Sequence, residues 1–115
     1  VDFSGFLSEE PDPTAVDDGD ARPLRFALGL GYPNPFNAGV TIPFELAYQA
    51  RATLSVYDVL GRNIATLVDQ VLVGGSHSAV WDGRDKWGQQ AASGTYFFRL
   101  NAGDFAAQGR ILLLR

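Results

Sequence analysis

The chain has 115 residues, enough for one domain, and 46% of them are apolar, which is enough to build a packed core. It has no cysteine and a single histidine, His77, which excludes a disulfide framework and disfavours a histidine-rich metal centre or a Ser-His-Asp triad. No apolar run approaches the roughly 20 residues of a membrane-spanning helix, and the first residues do not form a signal peptide. Because methionine is absent, we expect a fragment or a processed piece of a longer protein.

The net charge of −4 hides an asymmetry along the chain. Residues 1–21 contain seven acidic and no basic residues, whereas the remainder has nine basic and six acidic residues, too few bases to predict nucleic-acid binding. Residues 8–24 are acidic and contain proline, so we predict a solvated linker there. Residues 1–7 are similar to the end of a calcium loop of the dockerin or EF-hand type. Gly5 stands where the bidentate acid would lie, so we predict the tail end of a preceding module without calcium.

Residues 25–115 have the pattern of a β domain. Apolar and polar residues alternate with a period of two in successive short segments, which are separated by turns rich in glycine, asparagine and aspartate. The predicted strands are residues 26–30, 40–46, 52–57, 63–68, 76–81, 94–100 and 105–114, with turns at 58–61, 74–75 and 101–104. Six or seven such strands predict an all-β fold, an Ig-like antiparallel β-sandwich of about seven strands.

The inward face of these strands defines a predicted core. Its members are Phe44, Leu46, Leu54, Val56, Ile64, Leu67, Val80, Tyr96, Phe98, Leu100, Ile111 and Leu113. Pro43 cannot donate a hydrogen bond to a neighbouring strand, so its strand should lie at a sheet edge or turn the missing N–H outward. The apolar run 111–114 predicts a last strand that is buried on both faces. Held only by its ladder and its side chains, this terminal strand could be peeled away or exchanged.

Two prolines make residues 32–37 the most unusual segment of the chain. Each proline fixes its own φ and restricts the residue before it, which predicts a rigid, extended lead into the first long strand with Tyr32 and Phe36 as anchors. The segment either caps an open end of the core or is recognised by a partner. Its residues are Tyr32, Pro33, Asn34, Pro35, Phe36 and Asn37.

The loop after residue 81 has few residues that could bind a metal or a ligand. Asp82 is expected to accept backbone N–H groups or to pair with Arg84, because a third acid that calcium would need is missing. Trp81 is predicted to be a core or sheet-end anchor. For Trp87 two interpretations remain open: it folds back over the end of the sandwich, or it is exposed and stacks on a sugar or a partner.

No catalytic group is evident in the rest of the chain. His77 is expected on the solvated face of its strand, where its neighbours Ser76 and Ser78 point the opposite way and cannot act with it as nucleophile and base. We therefore expect a protein that is not an enzyme, with no catalytic residue, no metal site and no cofactor.

Five motifs follow one another in residues 32–37, 56–62, 81–88, 93–100 and 109–115. They read YPNPFN, VYDVLGR, WDGRDKWG, SGTYFFRL and GRILLLR. In this order they closely resemble the C-terminal sorting domain of the type IX secretion system, the Por secretion tail, a family that overlaps the Ig-like domain of flagellar-hook-capping proteins. The resemblance covers about residues 26–115. The sequence differs from the family pattern at residues 38–41 and at Trp87. In the last motif the family usually has a lysine where this sequence has Arg110, so the positive charge is kept.

The resemblance implies that the domain is a sorting signal and not a catalytic domain. It implies a non-catalytic module behind an upstream cargo domain in a secreted enzyme or adhesin of Bacteroidetes-like bacteria. The implied partners are an outer-membrane type IX translocon and a sortase-like peptidase that couples the cargo to surface lipopolysaccharide, so the implied location is secreted or at the cell surface, reached through the periplasm. The residues expected to be recognised are Gly94, Tyr96, Arg110, Ile111, Leu112, Leu113, Leu114 and Arg115.

Two other functions remain open. One is a carbohydrate-binding accessory module of a secreted glycoside hydrolase, in which Trp87 and other aromatic rings would stack on a polysaccharide. The other is a structural Ig-like spacer.

Overall fold

The computed structural model describes residues 24–115, so the predictions for residues 1–7 and for 8–24, except Leu24, lie outside the described part. The described residues form seven strands and no helix, which confirms the predicted Ig-like β-sandwich. The strands are β1 (Ala27–Leu28), β2 (Val40–Leu46), β3 (Ala50–Tyr57), β4 (Asn63–Leu72), β5 (Gly75–Trp81), β6 (Gly94–Ala102) and β7 (Phe105–Leu113).

The strands form two antiparallel sheets. The three-stranded sheet has the order β1-β2-β5, and the four-stranded sheet has the order β4-β3-β6-β7. Strand β7 is therefore the last strand both along the chain and at one side of its sheet. The turn between β6 and β7 consists of Gly103 and Asp104 alone, with Gly103 at a φ of 57°. A two-residue hairpin needs such positive φ values, which explains the glycine.

The core lies between the inward faces of the two sheets. Alternate residues of β2, β3 and β6 are buried, as their apolar period of two predicts. The largest fully buried side chains are Trp81, Phe98, Ile42, Leu46, Leu54, Leu100, Ile111, Leu113, Val40 and Val56. Of the predicted core residues, Ile64 and Leu67 are only half-buried; both lie on β4, at the edge of the four-stranded sheet, and pack against the core.

Strand β5 has the opposite phase to the predicted one. Trp81 points into the core with 1% of its surface exposed, so Val80, its neighbour, points outward with 62% exposed. The prediction that Val80 is buried is therefore wrong. The same alternation turns His77 toward the inside, where it is half-buried, stacks on the ring of Phe44 at 5.5 Å and contacts the carbonyl of Val73 through Nε2 at 2.8 Å. The predicted solvated position of His77 is also wrong.

Pro43 lies in the central strand of the three-stranded sheet and not at an edge. Its carbonyl accepts a hydrogen bond from the N–H of Gly29 at 2.8 Å, just after β1 has ended. In an antiparallel strand the N and O of one residue point the same way, so the missing N–H faces the short strand β1. The missing N–H thus faces Gly29 beside the end of β1 and does not point outward, so neither of the two predicted arrangements is adopted.

The turn between β3 and β4 is closed by Asp58. Its carboxylate accepts the backbone N–H groups of Leu60 and Arg62 and the Nε–H of Arg62, at 2.8 to 3.0 Å. The backbone hydrogen bond from Arg62 is the main cause that lowers the pKa of Asp58 below its ordinary value. Gly61 has a φ of 83°, as predicted for this turn.

Gly109 is required because the ring of Phe98 lies on it. A methyl group at Gly109 would lie 2.9 Å from Cε2 of Phe98, a buried atom of a rigid ring in the core. We expect Gly109→Ala to lower the free energy of unfolding by about 1–3 kcal/mol through overpacking. Urea denaturation tests this, with Gly88→Ala as a contrast because its added methyl meets nothing within 4 Å and only its φ of 85° is unfavourable. An unchanged stability of Gly109→Ala would show that Phe98 does not occupy this position.

Candidate recognition site at the C-terminal strand

Strand β7 brings together the residues for which the sequence predicts recognition. Gly94 lies opposite Leu113, and Tyr96 lies opposite Ile111, in the antiparallel pair of β6 and β7. The segment that begins β6 and the segment that ends the chain are therefore immediate neighbours, as predicted. Their common surface is the candidate site.

The outer edge of β7 is covered by the 32–37 segment. Phe36 donates its N–H to the carbonyl of Leu112 at 3.0 Å, and its own carbonyl accepts the N–H of Leu114 at 2.9 Å. The side chain of Asn34 adds two contacts: its Oδ1 accepts the N–H of Leu112 at 3.0 Å and its Nδ2 donates to the carbonyl of Arg110 at 3.4 Å. We call residues 34–36 the edge clip, because the parallel bridge of Phe36 and the side chain of Asn34 cover the edge of β7.

The edge clip is fixed to the core by Phe36. Its ring is 3% exposed and lies 5.5 Å from the ring of Trp81, which in turn lies 5.1 Å from that of Tyr96. Tyr32, the other predicted anchor, is 57% exposed and contributes only backbone hydrogen bonds to Thr41. The predicted extended conformation is also wrong, because the backbone bends at residues 33–35. The Tyr32-Pro33 and Asn34-Pro35 peptide bonds are cis.

Arg115 binds the C-terminal end of β7 to a neighbouring loop through hydrogen bonds. Its guanidinium donates to the carbonyls of Ala91, at 2.8 Å, and Gly83, at 2.6 Å, while its backbone N–H donates to Oγ of Ser93 at 2.9 Å. The last residue is thus bound to the loop between β5 and β6. The interpretation of a strand held only by its ladder and its side chains is wrong, because the edge clip and Arg115 both hold it.

The last strand is buried on one face only. Ile111 and Leu113 are 1% and 0% exposed, whereas Leu112 is half-buried and Leu114 is 49% exposed. The predicted burial on both faces is wrong because the second face of the four-stranded sheet has no layer over it among residues 24–115. Arg110, Leu112 and Leu114 are consequently available on the outside of the domain.

Tyr96 links β6 to the same loop. Its hydroxyl donates a hydrogen bond to the carbonyl of Ala92 at 2.6 Å, and its ring is 7% exposed. Burial, which disfavours the phenolate, is the main cause that raises the pKa of Tyr96 above its ordinary value. Tyr96 therefore acts as a structural support of the site and presents little surface to a partner.

The loop after β5 is built by its two aspartates. Asp82 accepts the backbone N–H of Arg84 at 3.0 Å, and Asp85 accepts those of Trp87 and Gln89 at 2.9 Å. The predicted backbone role of Asp82 is thus observed, without an ion pair to Arg84. Within residues 24–115 no group of three or more His, Cys, Asp or Glu residues is placed to hold a metal ion.

Trp87 is exposed at the tip of this loop. Its side chain is 76% exposed and lies under the ammonium group of Lys86, 5.1 Å from the ring centre. Of the two interpretations left open by the sequence, the folded-back one is wrong. Trp81, by contrast, is buried as predicted, with Nε1 donating to the carbonyl of Arg84 at 2.8 Å.

The model of the FlgD Ig-like domain family matches residues 34–104, more than half of the chain. The chain belongs to this family. None of the curated proteins compared with this FlgD Ig-like domain matches it. No helix among its described residues is long and apolar enough to cross a membrane.

Two solved structures from Porphyromonas gingivalis share the fold of this FlgD Ig-like domain. PorZ, described as an essential bacterial surface component of the type-IX secretion system, is 24% identical with a TM-score of 0.52, over 78% of this chain and 11% of PorZ. Dimeric latent PorU is 18% identical with a TM-score of 0.58, over 86% of this chain and 10% of PorU. The chain thus spans about a tenth of each, and at these identities the similarity establishes the fold alone.

The contacts that sequence reasoning missed are those of Asn34 and Arg115. The composition of residues 32–37 marked them as unusual, but nothing in the sequence connects Asn34 to Leu112, 78 positions later. The sequence predicts only that Arg115 is a charged residue at the end of the apolar run, whereas its guanidinium donates hydrogen bonds to backbone carbonyls.

The edge clip should protect the amide of Leu112. Replacing Asn34 by alanine removes two hydrogen bonds at the surface, so we expect a loss of about 1–2 kcal/mol in the free energy of unfolding and faster hydrogen exchange at Leu112. Asn37→Ala is the matched control, because the side chain of Asn37 makes no hydrogen bond to residues 24–115. Equal exchange rates at Leu112 in both variants would contradict the contact.

Proposed function

We propose that this domain is a non-catalytic module that directs a secreted multidomain protein through the type IX secretion system to the cell surface. The observation that carries the proposal is the arrangement of the C-terminal strand: the motif segments that resemble the sorting domain converge on it. Residues 94–96 pair with it, residues 32–37 cover its edge and residues 82–93 bind Arg115. The fold likeness to PorZ, a surface component of that system, supports the proposal.

The geometry also favours one mode of recognition. The edge clip occupies the backbone edge of β7 at Leu112, so a partner cannot add a strand there without displacing Asn34 and Phe36. The exposed side chains of Arg110 and Leu114 are accessible while the edge clip covers β7. We infer that the outer-membrane translocon reads the folded surface around β7, and that a sortase-like peptidase then acts upstream, on the connection to the cargo domain.

A reporter fusion tests the proposal. The whole chain is placed behind a reporter with a signal peptide and expressed in a host that has a type IX system and in the same host without its outer-membrane translocon. The expected result is reporter at the surface or in the medium of the first host and in the periplasm of the second. Periplasmic reporter in both hosts would overturn the proposal.

The exposed indole of Trp87 favours carbohydrate binding as a second candidate function. A ring that is 76% exposed is able to stack on the face of a sugar. Titration with polysaccharides distinguishes the two functions: Trp87→Ala should abolish any binding of the glycan while leaving export of the reporter unchanged. Absence of binding to each polysaccharide tested would remove this candidate.

A further inference from the structure

The outer face of the four-stranded sheet carries two arginines whose side chains have no partner among residues 24–115. Arg99 on β6 and Arg110 on β7 are both exposed, and neither guanidinium makes an ion pair or hydrogen bond within residues 24–115. Arg25, Arg51 and Arg62, in contrast, each pair with a carboxylate at 2.8 to 3.3 Å. Among the described residues, the uncompensated positive charge of this face is therefore concentrated on Arg99 and Arg110.

The two arginines are close neighbours across adjacent strands. Arg110 lies directly opposite Phe97, and Arg99 lies opposite Gln108, so the arginines are related diagonally in the ladder. Such residues lie about 7–8 Å apart. In an extended peptide, side chains two residues apart share one face and lie about 6.6–6.8 Å apart. The spacing therefore matches two carboxylates at alternate positions of an extended chain.

A groove lies beside the arginines. It is open to solvent, has a volume of about 560 Å³ and is lined by Tyr57, Val59, Phe97 and Arg99 among others. The one acid in its wall, Asp58, is already bound to Arg62 and does not compensate the free arginines. The groove thus offers half-buried aromatic rings for an apolar side chain next to Arg99, and Arg110 lies opposite Phe97 on the neighbouring strand.

We propose that Arg99, Arg110 and this groove form a docking surface, the arginine surface, for an extended acidic peptide segment of a protein partner. Two carboxylates at alternate positions bind the two guanidinium groups, and an apolar side chain of the same segment packs on Phe97. The inference goes beyond the sorting role, because it concerns a ligand of the isolated protein and needs no translocon.

The test is titration of the whole chain with a short labelled peptide that has aspartates at alternate positions, followed by fluorescence anisotropy. The double variant Arg99→Gln/Arg110→Gln should bind about tenfold more weakly or worse, because it loses two charge-assisted contacts. Arg51→Gln is the matched control: it removes a charge from the same face, but that arginine is already paired with Asp69. It should bind within about twofold of the parent.

Three results would overturn the inference. The first is no binding of the peptide by the parent. The second is an equal loss in Arg51→Gln and in the double variant, which would indicate a general charge effect. The third is binding of polygalacturonate, an acidic polysaccharide, through Arg99 and Arg110 without binding of the peptide. Circular dichroism of each variant verifies that the fold is intact.

Discussion

Phe98→Ala is expected to lower the free energy of unfolding by about 3–5 kcal/mol. Phe98 is 1% exposed, lies in β6 at the centre of the four-stranded sheet and covers Gly109. Truncation removes a large buried ring and leaves a cavity that the neighbouring strands cannot fill. Leu54→Ala, at a position that is 0% exposed in the adjacent β3, should cost about 2–5 kcal/mol for the same reason.

The contrast is Val80→Ala, on the outward face of β5. Because Val80 is 62% exposed, this change should alter the free energy of unfolding by no more than about 0.5 kcal/mol. Urea denaturation of the three variants gives the comparison. A cost below about 1 kcal/mol for both Phe98→Ala and Leu54→Ala would mean that the inward and outward faces have been assigned wrongly.

Removal of residues 110–115 is expected to leave the reporter in the periplasm. The truncation deletes the end of β7, the partners of Asn34 and Phe36, and the guanidinium that binds the loop at Gly83 and Ala91. Export is measured as the extracellular fraction of the reporter in the host with the type IX system. An extracellular fraction equal to that of the intact domain would show that the strand is not required.

This truncation needs a control for folding, because it also removes the buried side chains of Ile111 and Leu113. Arg115→Ala is a milder change that takes away only the side-chain contacts to the loop. If Arg115→Ala exports normally, the loop contacts of Arg115 are not required for export. A thermal melt of the truncated domain itself decides whether its loss of export comes from the missing strand or from unfolding.

The fold could be predicted from the sequence because its signals are local. The alternation in residues 40–46 and the glycine-bearing turns at Gly61 and Gly103 depend only on neighbours along the chain. The orientation of Val80 and His77 could not be predicted, because Val80 and Trp81 are adjacent apolar residues and either could point inward. Packing of the indole against Phe36 and Tyr96 decides that Trp81 does.

The candidate site could be predicted in part. Pairing of residues 94–96 with the last strand follows from the tight hairpin at Gly103, which fixes the register of β6 and β7. The edge clip could not be predicted, because a hydrogen bond from Leu112 to an asparagine side chain far back in the chain leaves no periodic signal. The same holds for Arg115, whose partners are backbone carbonyls that any sequence provides.

The most direct test of the sorting account is the extracellular fraction of the reporter when Arg110 is changed to glutamate, compared with Arg51→Glu. Both arginines are exposed on the same sheet, so both variants should fold, which a thermal melt verifies. The account predicts that Arg110→Glu accumulates in the periplasm while Arg51→Glu is exported like the parent. Export of a folded Arg110→Glu variant at the level of the parent would contradict recognition at the C-terminal strand.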